Sequence, residues 1–117
     1  LANGIIERAL TLLGEEEEIE AAIGPCAGSD DYEVGPEVIE AVGSTCCSKR
    51  GVGDRSLLDL AGSAVLQIQQ FRPGLPVHVT AISTMKDERF FSYRRDGAGT
   101  GRNLSFCIVR GEDRTRG

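Results

Sequence analysis

The residues of this 117-residue chain best suited to chemistry lie in one short run, Arg89-Phe90-Phe91-Ser92-Tyr93-Arg94-Arg95-Asp96-Gly97. It carries half of the aromatic side chains, which total two tyrosines and four phenylalanines. An apolar pair leads at once into two guanidinium groups and a carboxylate. A core strand does not accept such charges, so the run must pass from interior to a surface or cleft within four residues. Two readings stand. In one, solvated arginines at a strand end pair with Asp96 or Asp87. In the other, Arg94 or Arg95 lines a pocket and grips phosphate or carboxylate with its planar fork. On a regular strand the two arginines would oppose each other and only one would face inward. Burial of Phe90 and Phe91 would hold the segment in place.

The other reactive side chains give less. Cys26 stands in a loop over residues 24–31 among carboxylates, which raise a thiol's pKa and argue against a nucleophile. Cys107 falls within a strand pattern, where a small buried side chain fits. Cys46 and Cys47 are adjacent, poor material for a disulfide framework, so free thiols in a reducing cytoplasm are expected. His78 is the single histidine, and no cysteine spacing resembles a zinc ribbon or finger, so no metal ligand is assigned. The four glutamates at 15–18 read as a solvated helix end or turn.

The elements that position these groups follow from periodicity. Ile5, Ile6, Ala9, Leu10, Leu12 and Leu13 make a helical stripe, with Asn3 as its cap and Gly14 as its exit. Residues 19–23 read as a buried strand. Pro36 opens a short helix that Gly43 ends. Residues 44–55 carry Gly51-Val52-Gly53 and read as a mobile surface loop rather than a phosphate loop, since no strand precedes the glycines. Ser56 with Asp59 resembles a capping box. It introduces a long helix whose apolar face is Leu57, Leu60, Ala61, Ala64, Ile68 and Phe71, stopped by Pro73-Gly74. Residues 77–82 alternate as a strand. Residues 97–101 make a hairpin connection into a further strand through Leu104, Phe106 and Ile108. The tail, 110–117, is expected to fray.

Net charge is −5, which does not favour nucleic-acid binding, and it is unevenly spread. Through Gly43 eleven acids face Arg8 alone, whereas from Ser44 onward twelve basic residues face seven acids. The basic part contains the arginine run, as an anion site or a docking surface would require. No segment reaches the roughly 20 apolar residues of a membrane span.

Residues 90–96 with Thr100-Gly101-Arg102 and Leu104-Ser105-Phe106 resemble the C-terminal signature of the laccase-domain, or multicopper polyphenol oxidase-like, family. Ala22-Ile23-Gly24-Pro25-Cys26-Ala27-Gly28, followed by Tyr32-Glu33-Val34-Gly35, is similar to the family's Gly-Pro-x-x-Gly-Pro and Phe/Tyr-Glu-Val-Gly segment. Ser29 stands where the second proline of that pattern would be. Leu57-Leu58-Asp59-Leu60-Ala61 with Gln69 is similar to its Leu-Asp-Leu helix. The blocks fall in the family's order across residues 1 to 109.

The resemblance implies a mixed α/β fold, with helices outside packed mixed sheets in a layered αββα arrangement. It further implies a zinc-dependent purine nucleoside phosphorylase acting on adenosine or inosine, with possible adenosine deamination; polyphenol oxidation by copper is the older assignment. The implied partners are a purine nucleoside and phosphate, with neither nucleic acid nor membrane. Ser92, Arg94 and Arg95 would belong to the substrate and phosphate wall. The family's two histidines and one cysteine that hold metal match no position here. One of these histidines opens a His-Ala-Gly-Trp-Arg-Gly motif that would precede Leu1. The chain is therefore expected to be the C-terminal portion of a single domain, completed by an N-terminal half and binding no zinc by itself. The competing expectation is a non-catalytic fragment serving structure or interaction.

Overall fold

A computed structural model describes residues 1–14 and 18–108, so the expectations for residues 15–17 and for the tail 110–117 lie outside the described residues. The chain is a mixed α/β structure with one parallel and one antiparallel sheet. Its first helix, α1 (Ile5–Leu13), forms where the apolar stripe predicts. Gly4, not Asn3, is the cap: its φ of 71° lets the chain turn into the helix without a side-chain acceptor. Gly14 ends the helix with the same φ, donating to the Leu10 and Thr11 carbonyls.

The parallel pair joins β1 (Ala21–Ile23) to β5 (Val77–Val79), with Ala21 opposite Val77 and Ile23 opposite Val79. A parallel pair needs a long crossover, and the rest of the framework lies within it. β2 (Glu33–Val34), α2 (Pro36–Val42), β3 (Ser48–Arg50), β4 (Ser56–Leu58) and α3 (Leu60–Phe71) follow in turn. The three strands form an antiparallel sheet in the order β2-β4-β3. Residues 44–55 are therefore not a loop but, in large part, half of a hairpin. Gly51 donates to Arg55 O at 3.0 Å and Arg55 to Val52 O at 3.1 Å, while Gly53 takes φ 63°. Ser48, Lys49 and Arg50 are all exposed, so this edge strand has no apolar alternation to betray it.

Ser56 lies in β4 rather than at a helix start. Asp59 caps α3, its carboxylate accepting from Gly62 N at 3.0 Å. The core is small: Val34, Leu58 and Ile68 are buried with Ser63 and Gln67. α1 lies on α3 and is pinned at both ends, because Gln67 Nε2 donates to Leu1 O at 3.3 Å and Arg72 to Gly14 O at 2.6 Å. None of its residues is buried; Leu12 is 85 % exposed, and Ile5 and Leu13 are exposed beside it.

The strand expected at 104–108 does not form. A strand needs a neighbouring ladder, and this segment makes no backbone hydrogen bond among the described residues. Leu104, Phe106 and Ile108 are left 83 %, 75 % and 73 % exposed, and Cys107 is exposed rather than buried. No helix among the described residues is long and apolar enough to cross a membrane.

The contrast between the two apolar sets is measurable by urea unfolding. Leu58→Ala removes a fully buried side chain and is expected to cost about 2–5 kcal/mol. Leu12→Glu on the uncovered helix face should stay within about 0.5 kcal/mol of the unaltered chain.

Candidate functional site

Ser92-Tyr93-Arg94-Arg95-Asp96 is not a strand. Tyr93–Asp96 form a short helix, α4, with Ser92 as its cap and Gly97, at φ 72°, as its stop. The buried Ser92 hydroxyl accepts from Arg95 N at 3.2 Å, so its role is local order. Successive residues of a helix diverge by about 100°, and Arg94 and Arg95 accordingly reach different parts of the molecule.

Arg95 is committed internally. One terminal nitrogen donates to Thr84 O at 2.9 Å and Asp87 O at 3.3 Å, the other to Phe90 O at 2.8 Å. Its fork also grips Asp96, at 3.0 Å from Nε and 2.8 Å from the terminal nitrogen. That hydrogen bond holds the Asp96 carboxyl below the ordinary carboxylate range. The result is a clamp tying α4 to the loop through residues 84–90.

Arg94 reaches the opposite way. Its guanidinium lies over the Tyr32 ring, 4.6 Å from the centroid, and donates to Glu33 O at 2.5 Å. Arg55, which sequence reasoning missed, comes to the same carbonyl at 3.3 Å and pairs with the Glu33 carboxylate at 2.9 Å. Two guanidinium groups on separate elements thus meet at one exposed backbone oxygen, and only one of their charges is balanced there by Glu33. The available signal was weak: Arg55 precedes a strand too short for its outward side to be read.

Burial does not anchor the aromatic pair as expected. Phe91 is 53 % exposed; its ring leans on Gly101, where any Cβ would meet it at 2.8 Å. The Asn103 amide fixes Phe91 instead, accepting from its N–H at 2.9 Å and donating to its carbonyl at 2.8 Å. A side-chain amide here replaces one rung of the missing ladder. Nearby, Asp87 accepts from the Arg89 guanidinium and from the Arg89 N–H, which lowers its pKa to about 2.

A second assembly lies past the carboxyl ends of β1 and β5. Cys26 and Ser83 continue the parallel alignment beyond the strands, with Thr84 N donating to Cys26 O at 2.9 Å. Together with the start of α3 they enclose a cleft of about 450 Å³. Across its mouth, the Ser83 hydroxyl donates to Asp31 at 2.7 Å and accepts from Gly28 N at 3.1 Å, while Lys86 approaches Asp31 at 3.4 Å. Burial, then the Asp59 charge, pushes the Cys26 thiol up, so this cysteine stays protonated at neutral pH and is a poor nucleophile. Ser92, Arg94 and Arg95 do not line this cleft. His78 is exposed on β5, 3.7 Å from the equally exposed Glu20 carboxylate.

No group of three or more His, Cys, Asp or Glu among the described residues is arranged to hold a metal ion. The donor set of the described residues therefore does not, by itself, fit copper or zinc.

Residues 1–110 match the family described as multi-copper polyphenol oxidoreductase laccase. No curated protein and no solved structure matches the chain.

Two outcomes follow from the arginine geometry. Arg95→Lys keeps the charge but cannot serve three carbonyls and a carboxylate together, so thermal unfolding should occur at a lower temperature than in the unaltered chain. Carboxyl NMR titration should place Asp87 at about 2, and Arg89→Ala should return it towards about 3.9. The depressed folded value means that the Asp87–Arg89 contribution is complete above about pH 3.9 and is lost as pH falls through 2.

Proposed function

We propose that this chain, which belongs to the multi-copper polyphenol oxidoreductase laccase family, forms the phosphate-binding wall of an enzyme that cleaves purine nucleosides with phosphate. The observation that carries this reading is the meeting of Arg94 and Arg55 at the Glu33 carbonyl. Arg94 stacks on Tyr32 before any ligand arrives, so little side-chain entropy is lost on binding an anion. Its charge has no carboxylate partner among the described residues, whereas Arg55 has Glu33 and Arg95 has Asp96. A phosphate dianion placed there would relieve the repulsion between two neighbouring guanidinium groups and accept from both. Ser92 and Arg95 then act as positioning residues, fixing the helix from which Arg94 projects.

The reaction is a glycosyl transfer without redox change. A phosphate oxygen forms a bond to C1′ of the ribose as the bond from C1′ to the purine nitrogen breaks. The bonding electron pair leaves with the base, and the proton given up by hydrogen phosphate balances the one the base gains. Arg94 and Arg55 would orient the attacking phosphate and neutralise charge on its other oxygens. The zinc that the sequence resemblance implies does not fit the described residues. Its ligands are proposed to come from an N-terminal half of the domain, which would also cover the apolar face of α1 and pair with residues 104–108.

One observation favours the other reading, a structural or interaction module: Ser92 and Arg95 spend their hydrogen-bonding capacity inside the fold. The two readings separate on Arg94. In the domain assembled with its metal-bearing half, adenine release from adenosine should depend on phosphate. Arg94→Lys and Arg55→Lys should each raise the KM for phosphate about ten-fold, the equivalent of about 1.4 kcal/mol, and leave the KM for nucleoside little changed. Phosphate dependence that survives both substitutions would leave these arginines as surface charge and the module reading standing.

A further inference from the structure

The cleft beyond β1 and β5 has features that the arginine site lacks. It opens at the carboxyl ends of two parallel strands, where ligands of α/β sheets characteristically bind. Its volume, about 450 Å³, suits a molecule the size of a nucleoside. Ala61, Val65 and Ile82 supply apolar wall, while Asp30, Asp31, Asp59 and Lys86 supply the charges. Three carboxylates against one ammonium make the interior negative, although Lys49 outside it pairs with Asp30 and Lys86 acts on both Asp30 and Asp31. An anion is therefore repelled, and a neutral ligand rich in N–H and O–H donors is favoured.

The acceptors are held in place in advance. Asp31 is fixed by Ser83 and Lys86, and its side chain is largely buried. Asp59 is fixed by Gly62 N. Gly28 keeps the mouth open, since a Cβ there would meet Asp31 Oδ2 at 2.8 Å and Ser83 at 2.9 Å. A carboxylate oxygen has capacity for more than one donor, so both aspartates retain acceptor sites beyond these bonds.

We propose that this cleft receives the ribose side of an uncharged nucleoside, with Asp31 and Asp59 accepting hydrogen bonds from the sugar hydroxyls. The choice of a nucleoside rests on the phosphorolysis reading; the preference for a neutral, hydroxyl-rich ligand rests on the cleft. The two sites are close along the chain. Asp31 is two residues from Glu33, whose carbonyl gathers Arg94 and Arg55, and two residues of chain reach at most about 7 Å. Sugar and phosphate would then meet along one short strand of backbone, with the anion excluded from one site and drawn to the other.

Cys26 lines the cleft and reports on its occupancy, while the exposed Cys107 serves as an internal reference. The 117-residue chain is labelled with a maleimide at pH 8, and each cysteine is followed by peptide mass spectrometry with adenosine, ribose, adenine, spermidine or inorganic phosphate present. Adenosine at ten times its dissociation constant should slow Cys26 labelling about eleven-fold. Ribose should slow it at higher concentration, phosphate should have no effect, and Cys107 should be unaffected throughout. Asp31→Asn should weaken the protection by adenosine at least ten-fold, and Ser83→Ala, which leaves the carboxylate in place with Lys86 as its remaining partner, should weaken it less. Absence of protection by adenosine, or protection by adenine but not ribose, overturns the assignment. Stronger protection by spermidine than by adenosine, or any protection by phosphate, does so too. No metal and no turnover enter this measurement, so its failure is separate from failure of the phosphate dependence in the assembled enzyme.

Discussion

The fully buried Ser63 hydroxyl accepts from Cys47 N at 2.8 Å, while Ser63 N donates to Asp59 O and Asp59 N to Cys47 O at 2.8 Å. These three bonds lock the entrance of β3 to the first turn of α3. With so few apolar side chains fully buried, non-directional burial leaves the orientation of that helix loosely specified. Directional hydrogen bonds specify it. The consequences extend well beyond one residue. The N-terminal turn of α3 closes one side of the cleft, its later turns carry Gln67 and Arg72 to pin α1, and its exit feeds β5.

Arginine is used here in three ways that sequence alone does not separate. Arg95 serves as a backbone clamp, Arg89 as a local partner to Asp87, and Arg94 as a stacked, outward-facing charge. The distinction comes from the cap. Because Ser92 starts a helical turn, two neighbouring guanidinium groups part by a helical step instead of alternating across a strand. The clamp and the outward charge therefore depend on each other: Arg95 holds the turn that aims Arg94.

Much of this fold was legible where local signals were strong. The apolar stripe of α1, Pro36 at the start of α2, the long α3 and the glycine exits all appear as expected, and so does the mixed α/β class. The hairpin over residues 48–58 was not legible, because an exposed edge strand of Ser-Lys-Arg carries no apolar alternation. The run around Ser92 was misread for a different reason. Ser92 and Gly97 are ordinary helix punctuation, but the bulky aromatics before them favoured a strand. Residues 104–108 show the limit of pattern reading. Alternation is a statement about a strand's face, and it says nothing about whether a neighbour is present to complete the ladder. Nor does the sequence reveal that Arg55, Tyr32 and Arg94 meet: the pairing of β2 with β4 brings Arg55 beside Glu33, and α4, far along the chain, carries Arg94 to the same place.

Leu104-Ser105-Phe106-Cys107-Ile108 combines open backbone, alternating apolar side chains and no intervening charge or proline. Such a segment is a template for intermolecular β-association. During synthesis in a cell it would present the kind of extended, hydrophobic stretch that chaperones bind. While this segment stays uncovered, the lifetime of the chain is governed by proteostasis as much as by folding free energy, and clearance or deposition competes with the folded state.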